Sequence, residues 1–166
     1  QKPGENVTWL GGMSYSVYAA DQVDGNKTFK QSPYFQAFVG ADYRRNSMHM
    51  ANMIRFTLRG DNKLFAEDAS SQQLKLYGNE VQLLSRVSFD VAEDWYAGPT
   101  LSLRFIGGND MGFDNSHTVR IGGLVGKALS EKHTIHLEAR YMGGSADGGE
   151  ISLSGLQVML DFKAEL

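Results

Sequence analysis

The chain has 166 residues, enough for one domain and too few for a second core of comparable size, so a single unit over 1–166 is expected. It has no cysteine, which excludes disulfide frameworks, thiolate zinc sites and cysteine nucleophiles, and its net charge of −3 argues against a nucleic-acid partner. No run of ~18 apolar residues exists to form a transmembrane helix, yet a transmembrane barrel stays open, because alternating strands average out in a mean hydropathy of −0.33.

Glycine is abundant at 19 residues against 3 prolines, a ratio that places the glycines inside strands and not in a linker. The start, Gln1-Lys-Pro-Gly4, carries no basic and apolar leader pattern, as expected if a signal peptide was never present or has been removed. Apolar and polar residues alternate with period two in eight segments, 6–20, 33–44, 50–60, 79–91, 96–107, 118–130, 134–143 and 151–164. Most reach the ~9–11 residues that a tilted strand needs to cross a bilayer.

The connections alternate in length. Asp21 to Ser32, Asp61 to Gly78, Gly108 to His117 and Gly144 to Glu150 are long; Arg45 to His49, Ala92 to Trp95 and Glu131 to His133 are tight polar turns. Even strand number with long loops at one end and short turns at the other is the arrangement of a closed, antiparallel, eight-stranded transmembrane β-barrel, with both termini on the short-turn side.

In the second segment Phe35, Ala37, Val39, Ala41 and Tyr43 oppose Gln36, Asp42 and Arg44; in the third, Ile54, Phe56 and Leu58 oppose Arg55, Thr57 and Arg59. The fourth sets Val81, Leu83, Val87 and Phe89 against Gln82, Arg86, Ser88 and Asp90, and the fifth Leu101, Leu103 and Phe105 against Thr100, Ser102 and Arg104. The seventh sets Ile135, Leu137, Ala139 and Tyr141 against His136, Glu138 and Arg140. In the eighth the apolar parity switches at Gly155, which predicts a β-bulge there.

A lipocalin-like soluble barrel would alternate in the same way, so the type of charge decides which face is enclosed. The polar faces carry seven of the eight arginines, Arg44, Arg55, Arg59, Arg86, Arg104, Arg120 and Arg140, but only Lys163 of the eight lysines. Arginine suits enclosed, multiply hydrogen-bonded ion pairs, because its planar fork serves several acceptors at once. With Asp42, Asp90, Glu138 and Asp161, these residues predict a lumen filled by an ion-pair network at net +4, a plug instead of an open pore. The long connections, with Glu80 counted among them, hold ten carboxylates against four lysines and form an acidic crown. Tyr43, Trp95, Tyr96 and Phe162 gather near the short turns, where an interfacial aromatic girdle would lie.

In strand number, loop alternation and Arg/carboxylate lining, the whole chain resembles the small eight-stranded outer-membrane barrels of the OmpA and OmpX kind. The segment Leu156-Gln-Val-Met-Leu-Asp-Phe162 is similar to their C-terminal assembly signal, and departs from it by running on through Lys163-Ala-Glu-Leu166. The resemblance implies a bacterial outer-membrane location, with outer-membrane lipid and lipopolysaccharide as surroundings.

Some barrels of this size modify lipid A, and such chemistry needs a His base, a Ser nucleophile and an acid near the outer rim. Ser116, His117, Ser145 and Glu150 are the residues available, but the His-x-Ser motif of the lipid A 3-O-deacylases is missing from Arg140-Tyr-Met-Gly-Gly-Ser145. Met48-His49-Met50 with Met53 holds soft ligands suited to Cu(I); a turn with adaptable methionine packing is the preferred reading. His133 and His136, three apart in a strand, are expected on opposite faces, one at a turn and one in the lumen. The glycine pairs lack a following helix and cannot cradle phosphate.

No catalytic residue, cofactor or metal is therefore assigned. The expected function is non-enzymatic, a structural, adhesive or surface-interaction role carried by the loops, with a narrow solute channel and a lipid A-modifying enzyme as the alternatives. Within the second long connection, Lys63, Leu64, Phe65, Leu74, Leu76 and Tyr77 predict a hairpin that prolongs strands three and four and presents apolar side chains to an extracellular or envelope protein partner. Carboxylates beside it could instead hold divalent cations that bridge to lipopolysaccharide.

Overall fold

A computed structural model describes residues 5–18, 20–23, 26–65, 71–75, 78–110, 112, 114–130 and 133–164. Among them the strands are β1 (Glu5–Ser16), β2 (Ala20–Val23), β3 (Asn26–Lys30), β4 (Tyr34–Arg45), β5 (Met48–Arg59), β6 (Asn62–Phe65), β7 (Ser71–Leu74), β8 (Glu80–Ala92), β9 (Trp95–Ile106), β10 (Ser116–Ser130), β11 (His133–Ala146) and β12 (Ile151–Ala164). The fold is all-β. Eight long strands form one antiparallel up-and-down sheet in the order β1-β4-β5-β8-β9-β10-β11-β12, and four short ones form a second sheet, β2-β3-β6-β7.

The eight long strands coincide with the eight alternating segments, displaced at their ends by a few residues. Two of the tight turns are made by Asn46-Ser47 and Glu93-Asp94, and Asn46 and Asp94 take the left-handed φ of 49° and 61° that Asn and Asp tolerate. Among the described residues no ladder joins β1 to β12, so the expected closure of the sheet is not seen. The sheet does curl: the Arg86 side chain on β8 reaches Glu138 on β11, across two intervening strands, which makes the face carrying both of them concave.

Strand register sorts the inner, concave face into layers. Asp42, Ala51, Arg86, Thr100, Gly122, Arg140 and Gln157 lie side by side. The next layer toward the long connections, Gly40, Met53, Leu84, Ser102, Arg120, Met142 and Gly155, is largely apolar. A further layer holds Phe38, Arg55, Gln82, Arg104, Thr118, Gly144 and Leu153.

Burial is inverted relative to a water-soluble domain. The fully covered side chains are almost all polar, Thr57, Ser88, Thr100, Ser102 and Glu138 among them, and Leu124 is the one buried hydrophobic residue among those described. On the outer face Trp9 is 74%, Met13 80% and Leu156 74% exposed. The total accessible surface is 11212 Å², against about 8,100 Å² expected for a compact monomer of this mass.

Three expectations are corrected. β11 and β12 pair without a register shift from His133–Ala164 to Ala146–Ile151, so there is no bulge at Gly155. Ile151 and Leu153 instead point to the inner face near the long connections, which is why the apolar parity changes. Tyr96 does not belong to an outer girdle: it lies on the inner face opposite Gly126, its ring occupying the space where a Cβ would stand. The hairpin expected in the second long connection is present as β6 and β7, but it does not prolong β5 and β8: it joins β2 and β3 from the first long connection in a sheet of its own.

Phe38 covers Gly12 in the same way, 2.7 Å from where a Cβ would be. Two inner-face glycines therefore have a steric role, making room for a neighbouring strand's aromatic ring. Gly126→Val should displace Tyr96 and lower stability by about 1–3 kcal/mol, the usual effect of overpacking. Gly123→Val, on the outer face with only the Gly98 carbonyl at 3.6 Å, should leave the midpoint of urea unfolding nearly unchanged.

Candidate functional site

Two arrangements stand out, the charged inner face and the small sheet built by the first two long connections. On the inner face Glu138 is fully covered, and Arg140 Nε donates to its Oε1 at 2.6 Å while Arg86 Nη2 donates to its Oε2 at 3.2 Å. β10 and β9 lie between the strands that carry Arg86 and Glu138, so this bridge crosses the concavity. A second cluster sits at the long-connection end: Arg104 donates to both Glu80 oxygens at 2.8 and 2.9 Å, and Arg59 reaches the same carboxylate at 3.4 Å.

Toward the short turns, His49 Nε2 lies 2.7 Å from Asp42 Oδ1 and His136 Nε2 3.0 Å from Asp161 Oδ2. Arg44, Arg55, Arg120 and Asp90 share the inner face but form no ion pair with another described residue. The network is thus assembled differently from the pairing expected. Glu80, counted with the loops in the sequence, opens β8 on the inner face. It could have been found as the residue two before Gln82 in the same alternation.

The other candidate chemistries separate in space. Met48 and Met50 point outward while His49 and Met53 point inward, so this run does not converge on a metal. Ser145 Oγ lies 3.3 Å from His117 Nδ1, but Ser116 is on the opposite face and no described carboxylate contacts the His117 ring. His117 stacks on Phe105, and His133 stacks on Phe162 on the outer face, opposite in direction to His136. Lys127, on the outer face of β10, sits 5.3 Å over the Trp95 ring.

Asn62 on β6, which is 1% exposed, pins the small sheet to the connection that leads from β3 into β4: its Oδ1 accepts from the Ser32 amide at 2.8 Å, and its Nδ2 donates to the Leu74 carbonyl of β7 at 3.3 Å. β6 and β7 pair as an antiparallel hairpin, but in their own sheet and not as extensions of β5 and β8. Phe29, Leu64 and Gln72 share one face of it, and Lys30, Lys63 and Gln73 the other, so Leu64 and Lys63 are presented in opposite directions. Leu76 and Tyr77 lie outside the described residues.

Carboxylates of the acidic crown are engaged as acceptors. Asp110 accepts from the Lys75 amide at 2.6 Å and Asp147 from the Asp114 amide at 2.8 Å, while the Asn115 side chain accepts from the Gly108 amide at 2.9 Å. These bonds lace the second, third and fourth long connections into one rim. No protein-family model, curated protein or solved structure matches the chain.

Because Glu138 is covered and holds two guanidinium groups, Glu138→Ala should cost about 3 kcal/mol in urea unfolding, the low end for a broken enclosed pair, since Arg86 retains access to water. Asp90→Ala, at an exposed position with no ion pair among the described residues, should stay within ~0.5 kcal/mol of the parent.

Proposed function

We propose that the chain is a closed eight-stranded barrel of a bacterial outer membrane, plugged by its ion-pair network, whose work is done by the small sheet it carries above the membrane. The observation that carries this reading is the inverted burial: a polar, arginine-lined inner face and a largely apolar outer face that the described residues leave exposed. Strands of 12 to 15 residues rise about 40–50 Å at ~3.3 Å per residue, which even at a ~40° tilt exceeds the ~25 Å apolar band of such barrels. Trp95, Tyr43 and Phe162 remain as outward aromatics near the short turns, with Lys127 able to extend along Trp95 to a headgroup region.

In this reading the barrel is a scaffold. The Arg86–Glu138–Arg140 bridge spans the interior, a feature that disfavours the channel alternative; planar bilayer recordings should accordingly show little steady conductance. The small sheet, held by Asn62 and flanked by a laced rim, is a preformed surface for an envelope or extracellular protein or for lipopolysaccharide.

The decisive experiment is detergent extraction followed by gel electrophoresis with and without boiling. A heat-dependent mobility shift is expected; a protein that stays soluble and monomeric without detergent would overturn the reading. Replacing residues 63–73 by a short Gly/Ser turn should leave that shift intact and reduce binding to cells or lipopolysaccharide. Parent-level binding by the shortened protein would show that the small sheet is not the functional surface.

A further inference from the structure

We propose that the outer face around Asn52 and Ser85 is a self-association surface, which binds the same surface of a second copy of this chain within the bilayer. The inference rests on the membrane-barrel reading above. Away from strand ends, Asn52 on β5, Ser85 on β8 and Ser154 on β12 are the only Asn, Gln, Ser, Thr or charged side chains among the described residues of the outer face, and of these three only Asn52 and Ser85 are neighbours. The remaining polar side chains of that face, such as Lys127 and His133 or His117, Ser145 and Ser152, sit near strand ends, where headgroups would be. Asn52 stands opposite Ser85 in the strand register, and the Ser85 hydroxyl donates to Asn52 Oδ1 at 2.7 Å. Met50 and Ile54 flank one residue on its strand, Leu83 and Val87 the other.

The hydrogen bond between them satisfies only part of the amide. Asn52 Nδ2 has two N–H groups and no acceptor among the described residues; with the amide turned over, the Ser85 hydroxyl would accept one and leave the second. In hydrocarbon an unpaired N–H is expensive, and no water is at hand to take it. The missing partner must therefore be a polar group at the same depth.

A second copy inserted in the same orientation meets that requirement by construction. A two-fold axis along the membrane normal beside Asn52 sets each amide N–H against the other copy's amide or hydroxyl oxygen, an isologous contact that closes at two subunits. Ala41, next to Asn52 in the register on β4, keeps the neighbouring surface low. Small residues beside a hydrogen-bonding side chain are the combination through which membrane segments approach closely.

The chain has no cysteine, so one introduced thiol is a clean probe of the full-length protein in liposomes. Under mild oxidation at low protein-to-lipid ratio, Ala41→Cys should form disulfide-linked dimers far more readily than Ala139→Cys, which lies on the outer face of β11. Adding Asn52→Leu and Ser85→Ala to the Ala41→Cys protein should lower the dimer fraction about tenfold, the equivalent of ~1.4 kcal/mol in pairing free energy. Both substitutions leave the interior untouched, and the heat-dependent gel shift confirms that each variant is folded. Equal cross-linking at positions 41 and 139, or undiminished cross-linking in the triple variant, overturns the inference while leaving the barrel reading in place. Failure of the parent to insert into liposomes overturns both.

Discussion

The guanidinium group is the constraint around which this structure is arranged. It cannot lose its proton at any ordinary pH, and it carries five donors that need acceptors wherever water is scarce. Four of the seven on one face of the large sheet, Arg59, Arg86, Arg104 and Arg140, meet carboxylates there, and the curl of the sheet lets a donor from one strand reach an acceptor on another. Glu138 shows the result: one fully covered carboxylate shared by Arg86 and Arg140, which come from strands that are not neighbours. Once that face is the interior, the apolar residues that alternate with it have nowhere to go but outward.

Much of the large sheet was readable because period two is a strict rule. A residue's face follows from its number, and one strand pair with known register places all the others. All seven arginines expected from parity to share one face, from Arg44 through Arg140, lie on the inner face for that reason, and so do Asp42, Asp90, Glu138 and Asp161. Partner choice was not readable, because it depends on side chains that approach across the interior, where strand curl and not sequence spacing sets the distance. That is how Glu80 came to hold Arg104 and Arg59. Gly155 misled for a related reason: a switch in apolar parity is ambiguous between a bulge and an inward-facing apolar pair, and the uninterrupted β11–β12 register selects the second.

Asn52 and Ser85 were visible as parity violations, polar residues at apolar positions in Met50-Ala-Asn52-Met-Ile54 and Leu83-Leu-Ser85-Arg-Val87. Taken one at a time each is an unremarkable exception in a strand. Only the register, which sets them directly opposite one another, turns two exceptions into one feature. The small sheet was legible in part: the hairpin of the second long connection was expected from its alternation, but its pairing with β3 required knowing that the first two connections meet in space.

The edges of the large sheet bear on whether it closes. β1 offers 12 residues and β12 offers 14, and in an open sheet alternate residues of each would direct N–H and C=O groups into the surroundings. In water that is tolerable and invites pairing with other chains. In hydrocarbon each unpaired backbone group costs several kcal/mol, so two open edges of this length would outweigh the 5–15 kcal/mol that typically holds a folded chain together. The apolar exterior and an open sheet are therefore incompatible in the same medium. If the exterior of Trp9, Met13, Leu156 and Leu160 faces lipid, β1 and β12 must pair there, and the antiparallel direction they need is already fixed by the even number of strands between the chain's two ends.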